Sequence, residues 1–162
     1  MSSDCGDIIP YKRSRFSSRL PTDRLYTPSH FWARQLEPGV WRVGFTKFAT
    51  RMLGDLVEHG FQGKPGSRVA VGEPIGWVEG FKAVTDLYCV IDGEFVGGNP
   101  ALEQDLTLSD TDPYGEGWLY AVRGTPDPNA VDVHGYIQLL DLTIDRMQEK
   151  SGSGDEGRAS DV

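Results

Sequence analysis

From Leu25 to Lys150 the chain reads mainly as short apolar runs broken by glycine and proline. Gly39 to Phe45 alternates, with Val40 set against Trp41 and Val43. Further runs at Ser67 to Val71, Pro74 to Glu79, Ala83 to Ile91, Glu94 to Val96 and Trp118 to Arg123 predict strands. Their spacing suits an all-β sandwich or partly open barrel better than a parallel βαβ sheet. Two stretches switch to helical spacing. Phe45, Phe48, Ala49, Met52, Leu53 and Leu56 predict a short internal helix, capped by Thr46 and ended near Gly54. Val133, Tyr136, Ile137, Leu140, Ile144 and Met147 predict a C-terminal helix over Val133 to Lys150, capped by Asp132 and covering one side of the sheet.

The flanks lack such patterns. Residues 1–24 are polar, basic and aperiodic and are expected to be a loosely held, flexible arm. Residues 151–162 have too little apolar area to offset their ordering entropy, so an acidic, disordered tail is expected there. That leaves 25–150 as the folded domain. At 162 residues, 38% hydrophobic and 25% charged, the composition excludes a generally disordered chain. No apolar run approaches the ~20 residues that span a bilayer. Met1 to Pro10 carries two aspartates and no signal-peptide core, so a cytoplasmic location is expected. Lys12, Arg13, Arg15, Arg19 and Arg24 give the start a mitochondrial transit-peptide flavour, against which Asp4, Asp7 and Asp23 speak. The formal net charge of −8 repels phosphate backbones and excludes a nucleic-acid role, while suiting partners with electropositive rims.

Conventional catalytic and metal motifs are missing. Cys5 and Cys89 form no CxxC pair, His30, His59 and His134 are scattered, and no metal site is expected. Gly152 to Gly157 matches GxGxxG in letters only, since it follows no strand and places two carboxylates where a pyrophosphate would lie. Asp110-Thr111-Asp112 starts like a calcium loop, but Tyr114 and Ala121 fall at positions that need oxygen ligands. Cys89 lies in an apolar strand beside Val90 and Ile91, which makes it a small core residue, with a thiol enzyme as the alternative.

One lysine stands out. Lys82 has apolar neighbours on both sides and a glycine two positions before it. Pro74 to Glu79 and Ala83 to Ile91 read as the arms of a hairpin with Gly80-Phe81-Lys82 at its tip. Gly72-Glu73 and Gly93-Glu94 stand at similar distances to either side, so the lysine marks the midpoint of two half-sites. A solvated turn lysine has the same pattern, so the residues alone leave its role open.

Val78-Glu79-Gly80-Phe81-Lys82-Ala83-Val84-Thr85-Asp86-Leu87-Tyr88 resembles the lipoylation signature of the glycine cleavage system H-protein family, with an acid three positions before the modified lysine and an aspartate four after it. Tyr26 to Trp32 resembles that family's opening strand, and Val43 to Thr46 with Leu53 to Val57 its short helix and exit. Asp112-Pro113-Tyr114-Gly115-Glu116-Gly117-Trp118-Leu119 is similar to a segment diagnostic of the family. The resemblance runs from about Leu25 to Met147, in order. It implies a barrel-sandwich hybrid (lipoyl or hammerhead type) with one short internal helix and a C-terminal helix. It further implies lipoate in amide linkage on Lys82, with Glu79 and Asp86 as recognition and amine contacts. Such a carrier is not itself an enzyme. It takes an aminomethyl group from glycine decarboxylase to an aminomethyltransferase and electrons to dihydrolipoyl dehydrogenase, after loading by a lipoate ligase or octanoyltransferase.

The chain departs from that pattern in places. The family's Glu between the His and Trp of the opening strand is Phe31 here, and an apolar ring cannot hydrogen-bond an ammonium. Glu58 to Gly66 replaces the usual edge after Val57. These departures make a divergent H-like carrier, serving lipoate relay or sulfur metabolism, the second expectation. An unmodified binding module on the same fold is the third.

Overall fold

The computed structural model describes residues 7–161, with side chains described to Lys150. Its strands in chain order are β1 (Ile8–Arg13), β2 (Phe16–Pro21), β3 (Leu25–Tyr26), β4 (Phe31–Glu37) and β5 (Val40–Phe45), followed by helix α1 (Lys47–Leu53). Next come β6 (Leu56–Phe61), β7 (Arg68–Val69), β8 (Pro74–Gly80), β9 (Val84–Tyr88) and β10 (Ile91–Gly98). Helices α2 (Pro100–Gln104) and α3 (Leu108–Thr111), strand β11 (Tyr120–Pro126) and helix α4 (Val133–Asp161) complete the chain. The expected mainly β architecture, with an internal and a C-terminal helix, is present, and α2 and α3 add to it. Both are single turns, too short to show a helical period in sequence.

The strands form a six-stranded sheet in the order β3-β4-β5-β11-β10-β7, a three-stranded sheet β6-β8-β9, and the separate β1-β2 pair. One core lies between the two larger sheets, where Val43 and Phe45 meet Val78, Leu87, Ile91 and Val122. A second core lies behind the large sheet, where Tyr26 and Trp32 meet Tyr136 and Leu140 of α4. Strand β4 serves both, because successive side chains leave opposite faces: Phe31 and Ala33 enter the first core and Trp32 the second. The indole Nε1 of Trp32 donates to the Pro113 carbonyl at 2.9 Å, which ties the diagnostic Asp112 to Leu119 segment to this strand.

The two flanks correct the sequence reading. Of the expected flexible arm, residues 1–6 lie outside the described residues, as does Val162 of the expected tail. The rest of the arm folds back as the β1–β2 hairpin, burying Tyr11, Phe16 and Leu20 in the second core. Its polar side chains bind α4: Tyr11 Oη donates to Asp141 Oδ1 at 2.8 Å, and Arg13 grips both oxygens of Asp145 at 2.8 and 2.9 Å. One residue of the basic stretch that looked like a solvated arm, Arg13, is thus half of an ion-paired contact with α4. At the other end the backbone of 151–161 continues α4, in place of the expected disorder. A helix already nucleated against a core extends without a second nucleation cost.

If the hairpin belongs to the fold, Phe16→Ala removes a side chain that is 7% exposed and costs about 3 kcal/mol in urea denaturation. An unchanged midpoint would return the segment to a loose arm.

Candidate functional site

Strands β8 and β9 form the predicted hairpin, and their alternation sorts its side chains. Val78 and Leu87 face the core, while Glu79 pairs with Val84 and Asp86 with Trp77 on the outer face. Gly80 N donates to Ala83 O at 2.8 Å, leaving Phe81 and Lys82 as the tip. Two-residue tips usually need positive φ, yet neither residue adopts it. External contacts hold the turn instead. Phe81 N donates to Asp55 O at 2.9 Å and Lys82 N to Leu53 O at 2.8 Å, so the junction of α1 and β6 is a seat for the tip.

Two glycines make that approach possible. A Cβ on Gly80 would stand 2.3 Å from the Leu53 carbonyl oxygen, inside any tolerable contact. Gly54 caps α1 at φ 77°, a conformation that favours glycine, and its Cβ position lies 3.0 Å from Lys82 Cγ. The helix itself begins where the pattern placed it, with Thr46 Oγ1 accepting from Ala49 N at 3.4 Å.

Above this seat Phe81 is 81% exposed and Lys82 is exposed. Lys82 Nζ donates to the Arg51 carbonyl at 3.2 Å. That oxygen belongs to the last turn of α1, where carbonyls lack helical partners and the helix dipole favours a cation. A groove of about 380 Å³ opens beside the amine, lined in part by Lys47, Thr50, Asp55 and Asp110, with Lys47 Nζ 3.0 Å from Asp110 Oδ1. Among the described residues, neither Glu79 nor Asp86 forms a salt bridge with Lys82. Both are exposed, so the structure places the three predicted site residues on one hairpin without joining them.

On the other side of α1 lies a second, more apolar groove of about 310 Å³, bounded by Phe31, Phe45, Met52, Leu53, Asp86 and Tyr88. Phe31 is 4% exposed and stacks on Phe45 at 5.4 Å, so it is a wall of this groove and part of the core. Among the described residues, Asp86 is the one carboxylate that lines it. His30, at the rim, takes a left-handed φ of 72° and sets its Nδ1 2.8 Å from Tyr136 Oη, itself 2.8 Å from Thr46 Oγ1. Burial lowers the His30 pKa to about 4, which keeps the ring neutral near pH 7. The arrangement offers an exposed primary amine on a fixed base, with a polar groove beside it and, across α1, a trough that suits an uncharged aliphatic chain. Sequence reasoning found the hairpin and lysine but not the α1 seat or His30. The available signal was the pair Gly54 and Gly80, which only their spatial meeting explains.

The thiol alternative does not survive. Cys89 is 1% exposed, donates from Sγ to Ile91 O at 3.0 Å, and has its pKa raised by burial, all of which oppose a nucleophilic thiolate. Among the described residues no group of three or more His, Cys, Asp or Glu side chains could hold a metal ion, and no helix is long and apolar enough to cross a membrane.

Comparison with known proteins agrees with this geometry. Residues 24–136 match the family model described as glycine cleavage H-protein. The glycine cleavage system H protein of Rubrobacter xylanophilus is 40% identical over 126 residues, which is 76% of this chain and 97% of that protein. That of Corynebacterium jeikeium is 43% identical over 122 residues, 72% of this chain and 94% of that protein. A crystal structure of the Mycobacterium marinum protein of the same name superposes with a TM-score of 0.65 at 38% identity, covering 72% of this chain and 95% of that one.

Two outcomes check the site. Gly80→Ala should cost about 1–3 kcal/mol through overpacking and speed hydrogen exchange of the Phe81 and Lys82 amides, whereas unchanged exchange would mean the tip is not seated on α1. His30 has a folded pKa below its unfolded value, so its share of stability is complete above about pH 6.5 and is lost as pH falls toward 4, by about 2–3 kcal/mol. His30→Asn, which tolerates the positive φ, should flatten that fall in urea midpoints taken at pH 7 and pH 4.5. Parallel slopes would contradict the assignment.

Proposed function

Because the chain belongs to the glycine cleavage H-protein family, we propose that it is a lipoyl-bearing carrier of the glycine cleavage system, with lipoate in amide linkage on Lys82 Nζ. The observation that carries this reading is the exposed amine at the tip of a hairpin whose backbone is tied to the α1–β6 junction at both tip residues. The residues fit the group: the amine is open to an acylating enzyme, and the apolar groove across α1 matches an aliphatic chain. Bound there, lipoate supplies a dithiolane on a long tether, the group on which an aminomethyl unit passes from glycine decarboxylase to the aminomethyltransferase and electrons pass to dihydrolipoyl dehydrogenase.

The chain's own part is positional, and it makes and breaks no bond of glycine. The seat on α1 keeps the anchor still while the side chain moves. Acylation converts the ammonium that donates to the Arg51 carbonyl into a neutral amide, which removes the charge that holds the side chain against the helix end. Phe31, Phe45 and Tyr88 would shelter the aliphatic tether, and Asp86 at their edge is the carboxylate that would meet an amine. Glu79 and Asp86, on the exposed face of the hairpin, mark the lysine for a lipoate ligase or octanoyltransferase. On this reading the carrier works in the cytoplasm beside those enzymes.

One observation favours a second reading. Phe31, stacked on Phe45, leaves the groove with a single acid, which suits a carrier whose load is uncharged and whose pathway is lipoate relay or sulfur metabolism.

Co-expressed with a lipoate ligase, the protein should gain the mass of one lipoyl group, and Lys82→Arg should gain none. An unmodified wild type, or a label that persists in the variant, removes the carrier reading. Loaded protein that is refused an aminomethyl group by glycine decarboxylase would shift the assignment to the second reading.

A further inference from the structure

The β1–β2 hairpin and the outer turns of α4 lie beyond the matched residues 24–136, and together they build a groove that the carrier role above does not use. Arg13 and Tyr11 fasten the hairpin to Asp145 and Asp141, and Gln148 Nε2 donates to Ser14 Oγ at 2.6 Å at the hairpin turn. Between the turn, α1 and α4 lies a trough of about 280 Å³. Phe16, Phe48 and Ile144 form its floor at 6–7% exposure, while Met52 and Met147 stand 47% and 42% exposed on its walls. Flexible, polarisable methionine walls suit side chains that enter from a partner. The trough is too small and open to bury most of a drug-sized ligand, and its size suits one or two apolar side chains.

Charge narrows the occupant. Arg13 is engaged with Asp141 and Asp145, but Arg15 and Arg51 form no salt bridge among the described residues. Arg51 lies over the Phe16 ring, 5.9 Å from its centroid, so a local cationic rim sits beside exposed methionines on a chain of net charge −8. We propose that this groove docks an amphipathic helix of a partner enzyme, one that inserts apolar anchors between Met52 and Met147 and sets Asp or Glu against Arg15 and Arg51. A second copy of the chain fits less well, since it brings another net charge of −8.

The position gives such docking a purpose. Arg51 lines both this groove and the one beside Lys82, and its carbonyl receives the lysine amine. Met52 likewise borders the apolar groove on the opposite side of α1. A partner held here lies next to the seat of the carrier tip, and a second contact point raises the effective concentration of the arm at its active site. The choice of partners rests on the carrier reading.

The test uses the full-length protein, with loading of Lys82 checked by intact mass in every variant. Arg15→Glu and Met147→Asp are assayed as substrates of lipoate ligase, glycine decarboxylase, aminomethyltransferase and dihydrolipoyl dehydrogenase at low salt. We expect the KM for the carrier to rise about tenfold with at least one enzyme while kcat stays within twofold, and the difference to shrink at high salt. A KM within twofold for all four enzymes, with loading intact, overturns the groove and leaves the carrier reading standing. A wild-type dimer in sedimentation that both variants break also overturns it, in favour of self-association. Failure of Lys82 to load at all is instead the failure of the carrier reading.

Discussion

Two carbonyl oxygens at the end of α1 and the start of β6 hold the working end of the molecule in place. Leu53 O and Asp55 O accept the amide protons of Lys82 and Phe81, and the contact is possible only because Gly80 brings no Cβ against the helix end. A hairpin tip without these bonds would fray, as loop tips do. With them, the anchor of a swinging side chain becomes as rigid as the helix beneath it. Much of the remaining structure serves to keep that helix still. Thr46 caps it, Phe48 sinks into the second core, and the hydrogen-bonded run from Thr46 through Tyr136 to His30 fastens its start to α4 and to the turn before β4.

The division between fixed and free follows from burial. The inner face of the hairpin is closed off, with Val78 and Leu87 at 0% exposure, while Phe81 and Lys82 stand in water. The resting contact of Lys82 is a single exposed hydrogen bond to a helix carbonyl, easily exchanged for water. The grooves on either side of α1 are unlike in character, one polar and paired through Lys47 and Asp110, the other apolar and walled by the Phe31–Phe45 stack. A carboxylate at position 31 would be desolvated among aromatic rings, so in this chain the ring is part of the fold as well as a feature of the site.

The parts outside the matched residues follow a separate logic. The β1–β2 hairpin and α4 share one core with Phe48 and bind each other through Arg13, Asp141 and Asp145, so they brace α1 from behind as they create a cationic, methionine-lined trough beside it. The acidic net charge of the chain and this local basic rim are compatible because, among the described residues, the acids of α4 pair with one of the three arginines there, Arg13.

The sequence by itself determined the period-two strands β5, β8 and β9, the capped helix α1, the start of α4 and the lysine at the hairpin tip. Each of these follows from local alternation or from a cap whose hydrogen bond spans three residues or fewer. It did not determine the β1–β2 hairpin, since a strand with Tyr11 as its one buried residue gives no periodic signal and its partner lies some 130 positions away, at Asp141. Nor could it show that Gly54 and Gly80 meet, that Arg51 receives the lysine amine, or that Phe31 leans on Phe45. Those facts depend on where sheets and helices pack, and packing is set by long-range burial, which no window of neighbouring residues contains.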